Sequence, residues 1–225
     1  MKNCIVHPSF AAGENFSIGN FCVIEENVTV GDNVKIGNFV TIEPDVEIMN
    51  DVKIGHKVTL KSGTRIADNS VFDDHCVSTG VCYIGKNVNV RTGAIISRST
   101  IIEDNCFIGP GVITNHTKHV SHAREKTVPS ETLLTYISYA SIVGSQASLL
   151  AGIHIGPQCI IGGGSVVPKD LEGHAVYVGS PCRKLSDLPP GYLIEETGEA
   201  GSMYMTEEVI DLLKSYMTNL KLRDE

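Results

Sequence analysis

From Val6 to Ile108 every sixth residue obeys one rule, and the rule leaves the chain few ways to fold. The positions are Val6, Ala12, Ile18, Ile24, Val30, Ile36, Ile42, Ile48, Ile54, Leu60, Ile66, Phe72, Ser78, Ile84, Val90, Ile96, Ile102 and Ile108. Seventeen of the eighteen are apolar, and Ser78 alone breaks the series. The residue that follows is Gly at 13, 19, 31, 37, 55, 85 and 109, which suits a corner where the backbone needs freedom or close approach. Two residues before each apolar position stands something small or β-branched, such as Val28, Val34, Val40, Val46, Val52, Val58 and Thr64. A helix repeats at about 3.6 residues and a strand at about 2, so a period of six fits a short strand and a turn, many times over.

With 225 residues, no Trp and few aromatics, the core of such a parallel solenoid must come from aliphatic side chains in repeated slots. A net charge of -8 and a pI near 5.5 argue against nucleic acid as a partner, because phosphate binding needs a basic surface. Of the seven cysteines, Cys4, Cys22, Cys76, Cys82, Cys106 and Cys159 occupy the small slot and read as core filler; only Cys182 falls outside it. No CxxC pair suggests zinc. Without a signal peptide, the expected location is a reducing cytoplasm. The uncharged stretch from Thr132 to Pro168 keeps the six-residue rhythm, so it reads as solenoid and not as a membrane span.

The rhythm stops after Thr114 and resumes at Ile137, then continues through Val143, Leu149, Ile155, Ile161 and Val167 in a register shifted by one residue. Between the blocks lies a polar excursion at 115–136 that holds three of the eight histidines, His116, His119 and His122. Such loops are uncommon unless functional, and this one is where chemistry is expected. Eighteen hexads before it and six after it predict eight triangular coils. Domain boundaries are expected at 1–185 for the solenoid, with 186–225 a connector and a C-terminal helix capped by Thr206, whose apolar face is Val209, Leu212, Leu213, Tyr216 and Leu220.

The repeat, together with the segment IGGGSVVPKDLEGHAVYVGSPCRKL, resembles the hexapeptide-repeat acyltransferases, whose fold is a left-handed parallel β-helix. GGGSVVPKD followed by VGSPCRK is similar to the last coil of the galactoside and maltose acetyltransferase branch, and His116-Thr117-Lys118-His119 is similar to that branch's loop histidine pair. The resemblance implies an all-β fold, acetyl-CoA as co-substrate and a sugar or nucleotide-sugar acceptor. It also implies a homotrimer with active sites between subunits. It makes His116 the catalytic base with His119 in support, and it puts Ser145, Gly163 and Lys169 against coenzyme A. Lys169 and Arg183 suit its phosphates. The chain departs from the branch at Pro168, which replaces a threonine, and in having six coils ahead of the loop, so the branch's own acceptors are not expected.

Acyl transfer from a thioester needs a base near the acceptor, work suited to a histidine with an ordinary pKa near ~6.5. No acyl-enzyme is needed, so Cys182 is not the expected nucleophile. Two other functions fit the pattern. A zinc lyase like the γ-class carbonic anhydrases would use His116, His119 and His122 as metal ligands, and a non-catalytic scaffold would bind through the flat faces of the solenoid.

Overall fold

A short strand, a corner and another short strand close on themselves every eighteen residues, and the chain winds into a three-walled prism. The computed structural model describes residues 3–123 and 130–194. Nine parallel strands from Ile5–Val6 to Val166–Val167 form the first wall, face A, and eight from Ala11–Ala12 to His154–Ile155 form face B. Face C holds ten, starting at Ser17–Ile18 and ending in a hairpin of Ala175–Gly179 and Cys182–Asp187 whose turn contains a cis Ser180–Pro181 bond.

The period-six residues line the interior. Ile24, Ile42, Leu60, Ile84, Ile96 and Ile108 are buried to 1 % exposure or less, so each coil adds a layer of aliphatic carbon to one continuous core. The six-residue rhythm predicts eight coils, and the structure has nine. The ninth keeps its walls after the spacing is lost: Leu171 bridges to Ile155 on face B, and Val176 and Tyr177 pair with Ile160 and Ile161 on face C.

The corners assign different work to glycine than the sequence suggests. Gly13, Gly37, Gly55 and Gly85 do not have left-handed backbone; they are needed because a Cβ there would lie 2.1–2.6 Å from the next coil. The left-handed residue comes two positions later and is usually Asn or Asp, as at Asn15, Asn33, Asp51, Asn69, Asn87 and Asn105, the side chains that best tolerate that region. Another polar ladder runs beside them. Asp32 Oδ1 accepts from the Glu14 amide, Asn50 Oδ1 from Asp32, Asp74 Oδ1 from His56 and Asp104 Oδ1 from Lys86. At two corners the left-handed residue is phenylalanine, and Phe21 and Phe39 stack with ring centres 5.2 Å apart.

The cysteine slot has a polar function besides filling. The thiols of Cys4, Cys22, Cys76, Cys106 and Cys159 donate to corner carbonyls at 3.0–3.2 Å, and Ser70 and Ser141 do the same with hydroxyls. A corner carbonyl bent away from the ladder needs such a partner. Burial pushes the thiols up, to about 11 at Cys76 and about 12 at Cys82 and Cys159, which leaves them unreactive. All seven cysteines are free.

The loop leaves the corner between faces A and B after Thr114 and returns at Thr135. Thr100, Ile101 and Ile102 pair with Thr135, Tyr136 and Ile137, 35 residues on, where the earlier coils pair at 18. The excursion adds 17 residues without disturbing the walls, and this accounts for the shifted rhythm. The expected C-terminal helix lies outside the described residues. Among the described residues no helix is long and apolar enough to cross a membrane.

Candidate functional site

His116 stands at the root of the loop on backbone held from several sides. Asn115 donates to the Leu149 carbonyl through both its amide and its side chain, at 3.0 and 2.9 Å, and its own carbonyl accepts from the Thr135 hydroxyl at 3.0 Å. The His116 carbonyl accepts from the Leu133 amide at 2.8 Å, and Thr117 bridges antiparallel to Thr132. The returning strand is pinned as well. Leu134 packs on Val81 and Ile101, and Leu133 fills the space where a side chain at Gly152 would stand, 2.6 Å from its missing Cβ.

The His116 ring is half-buried, and its pKa is lowered by desolvation first and by the Arg98 guanidinium second. A neutral imidazole at physiological pH is the form that can accept a proton. His119 and His122 are exposed on the same loop. Among the described residues no three His, Cys, Asp or Glu are placed to share a metal ion, so the three loop histidines do not converge.

Arg98 is the residue that sequence reasoning missed. It lies 18 positions before His116, one coil below it in the winding, and that offset is the signal that could have found it. Its corner is clamped by hydroxyls. The Arg98 amide donates to Thr79 Oγ1 at 2.9 Å, the Ser97 amide to Thr114 Oγ1 at 2.7 Å and the Ser97 hydroxyl to the Thr114 carbonyl at 2.6 Å. Thr100 joins Thr114 at 3.1 Å, and two coils lower Thr64 joins Ser78 at 2.6 Å. Ser78, the break in the hexads, therefore belongs to a polar column under the loop in which each buried hydroxyl has a partner, so the desolvation cost of an unpaired group is avoided.

The residues expected to face coenzyme A gather mostly on another edge. Ser145 and Gly163 are exposed and stacked at the corner between faces C and A, where the Gly164 amide donates to the Ser145 carbonyl at 2.8 Å. A Cβ on Gly163 would meet only Ser145 within 4 Å, and one on Gly164 would meet nothing, so this ridge is open backbone. The terminal hairpin continues the edge: the Gly179 amide donates to Ser165 Oγ at 3.1 Å, and Arg183 pairs with Val178. Lys169 follows Val167 on the last coil. Its charge and that of Arg183 both reach the Cys182 thiol, but burial dominates there and raises the thiol's pKa. Face A spans the distance between the Ser145–Gly163 edge and the His116 edge.

Face B carries a second unexpected group. Glu103 occupies the corner slot held by Gly85 one coil earlier, is 5 % exposed, and accepts hydrogen bonds from the Tyr136 hydroxyl and the Tyr139 amide. Burial raises its pKa against the lowering effect of both bonds. Tyr136 meets the His154 ring edge-on at 5.1 Å, and Ser138 Oγ lies 2.8 Å from His154 Nε2. Two surface concavities lie elsewhere, about 450 Å³ around Lys35 and Lys53 and about 220 Å³ around Arg65 and Tyr83, and contain none of the expected site residues.

Residues 1–101 match the GMPPB C-terminal domain family, which is less than half of the chain. The galactoside O-acetyltransferase of Escherichia coli K12 is 30 % identical over 109 residues, 47 % of this chain and 54 % of that one. The chain spans about half the length of the curated relatives it matches. Among solved structures, LpxA, a UDP-N-acetylglucosamine acyltransferase from Bacteroides fragilis, superposes with a TM-score of 0.66 at 18 % identity, over 96 % of this chain and 82 % of that one. A galactoside acetyltransferase in complex with coenzyme A superposes with a TM-score of 0.53 at 24 % identity, over 60 % and 71 % of the two chains.

Proposed function

We propose that this chain, whose fold is the left-handed parallel β-helix of the hexapeptide-repeat acyltransferases, transfers an acetyl group from acetyl-CoA to a hydroxyl or amino group of a sugar or nucleotide sugar. The observation that carries the reading is His116: a half-buried imidazole on fixed backbone, kept neutral by desolvation and by Arg98. In the reaction the acceptor oxygen or nitrogen attacks the thioester carbonyl, and the bond to sulfur breaks. His116 takes the acceptor proton and returns it to the departing thiolate. Such positioned base catalysis contributes a factor of about 10² to 10⁴, or roughly 3 to 5 kcal/mol of barrier.

Acetyl-CoA supplies the activated acyl group. Ser145 and Gly163 would bed its extended arm on bare backbone, with Lys169 and Arg183 toward its phosphates, and His119 serves at most as support from an exposed position. The resemblance and the coenzyme A complex of a galactoside acetyltransferase support this assignment. We read the assembly as a homotrimer with the loop edge against a neighbouring copy. Ile113, Val120 and Leu150, all exposed large apolar side chains, surround the loop root, and exposed apolar groups of this kind favour an interface. A cytoplasmic location is part of the same reading.

The test is release of free thiol from acetyl-CoA by wild type and His116→Ala against a panel of simple sugars and amino-sugar nucleotides. Turnover with one acceptor that falls at least a hundredfold in the variant, at unchanged melting temperature, is expected. Full activity in the variant moves the base elsewhere, and absence of both turnover and coenzyme A binding by calorimetry sinks the reading.

A further inference from the structure

Four long basic side chains on this solenoid pair with a carboxylate one coil below them. Lys61 meets Glu43 at 3.8 Å, Arg65 meets Glu47 at 2.9 Å, Lys86 meets Asp68 at 3.9 Å and Arg91 meets Asp73 at 3.1 Å, each pair 18 residues apart. The exposed Lys35, Lys53 and Lys57 have no such carboxylate, and neither has Arg98, which is half-buried. Its slot one coil below is Gly80, whose left-handed backbone (φ 110°) offers no side chain at all, and its slot one coil above is His116. No ion pair forms at Arg98 among the described residues, and its Nε is buried without a hydrogen-bond partner.

The backbone around this unpaired guanidinium is not loose. Hydroxyls of Thr79, Thr114 and Ser97 hold the corner, and two buried hydroxyl pairs, Thr64–Ser78 and Thr100–Thr114, interrupt the aliphatic core at this edge on either side of the coil that carries Ile96. An arginine on clamped backbone with no counter-charge, one coil from the base, suits an anion that arrives from outside, since a planar guanidinium matches an oxyanion with two parallel hydrogen bonds.

We propose that Arg98 anchors an anionic group, a carboxylate or phosphate carried by the sugar acceptor, and so holds the acceptor's nucleophile against His116. The proposal rests on the acetyltransferase reading, because it names the acceptor class for that same site. A neutral sugar leaves the guanidinium uncompensated and is the poorer ligand.

The experiment uses the 225-residue chain with labelled histidine. The His116 ring resonance, assigned by its loss in His116→Ala, is followed by NMR during titration with glucose, glucuronate and glucose 1-phosphate. In wild type, glucuronate or glucose 1-phosphate is expected to bind at least tenfold more tightly than glucose, and the arm that wins identifies carboxylate or phosphate as the group. Arg98→Gln abolishes the preference and Arg98→Lys keeps part of it; the lysine variant also covers the case in which the glutamine variant fails to fold. Equal affinity for all three ligands, no binding by any, or a preference that survives in Arg98→Gln overturns the proposal. Calorimetry with coenzyme A on the same samples separates the two readings. Coenzyme A binding without an anion preference defeats only the anchor, whereas loss of coenzyme A binding defeats the transferase.

Discussion

Two glycines that look interchangeable in the sequence should respond in opposite ways to one added methyl group. A Cβ on Gly144 would lie 2.6 Å from the Gly163 nitrogen and the Ile161 oxygen and 2.8 Å from the Gly162 carbonyl carbon, all backbone atoms of the next coil. Relief to ordinary contact separates the two coils by several tenths of an ångström to about 1 Å at this corner, and it strains the bonds from Gly144 to Ile161 and from Gly162 to Tyr177, both 2.8 Å. Overpacking of this kind costs about 1 to 3 kcal/mol and each of the two weakened ladder bonds about 0.5 to 1 kcal/mol, so Gly144→Ala is expected to lose roughly 2 to 5 kcal/mol. At about 2 to 4 °C per kcal/mol for a chain of this size, melting followed by circular dichroism drops by roughly 4 to 20 °C. Gly163→Ala places its Cβ 3.2 Å from the Ser145 oxygen and meets nothing else closer than 3.8 Å. It should melt within about 4 °C of wild type yet bind coenzyme A at least tenfold more weakly, because the methyl group stands on the open ridge. A Gly144→Ala protein that melts like wild type would refute the argument from coil spacing. A folded Gly163→Ala protein with undiminished coenzyme A affinity would remove this edge from the site.

Two further outcomes are expected. Because the folded-state pKa of Glu103 is raised above its ordinary value of 4.5, its contribution to stability is full below that pH and is lost as pH rises through the folded value. The urea midpoint of Glu103→Gln should therefore gain on wild type between pH 4 and 7, and parallel curves would contradict the buried carboxylate. Thr114→Val keeps the shape but orphans the Ser97 amide, which now donates to Thr114 Oγ1 at 2.7 Å. A loss of about 1 to 3 kcal/mol is expected, read as a fall in melting temperature of about 2 to 12 °C; an unchanged melting curve would show that the polar column is not needed for stability.

The walls of the prism are legible in the chain because one rule fixes them: an aliphatic side chain at every sixth position points inward whatever its neighbours are. The corners are only half legible. Glycine after Ile36 or Ile84 can mean a left-handed turn or a close approach, and only the stacked coils show that Gly37 and Gly85 serve approach while Phe39 and Asn87 take the left-handed backbone. His116 announces itself by sitting where the rhythm stops. Arg98 and Glu103 do not, because each gains its meaning from a residue on another coil, His116 for the first and Tyr136 for the second. Ser78 is visible as a break in the pattern, but its reason, the hydroxyl of Thr64 at 2.6 Å, lies across the corner.

The 17-residue excursion at the seventh coil leaves the pairing above and below it in step. The solenoid is thus a lattice with translation along a single axis, in which each unit touches only the units before and after it. A whole unit of eighteen residues could be removed from the early coils, such as 31–48, with strand partners at the cut still meeting in register. The separation between the first coil and the histidine would then change in steps of ~4.8 Å. The prism is graduated in single coils, so two points on one edge lie a whole number of turns apart.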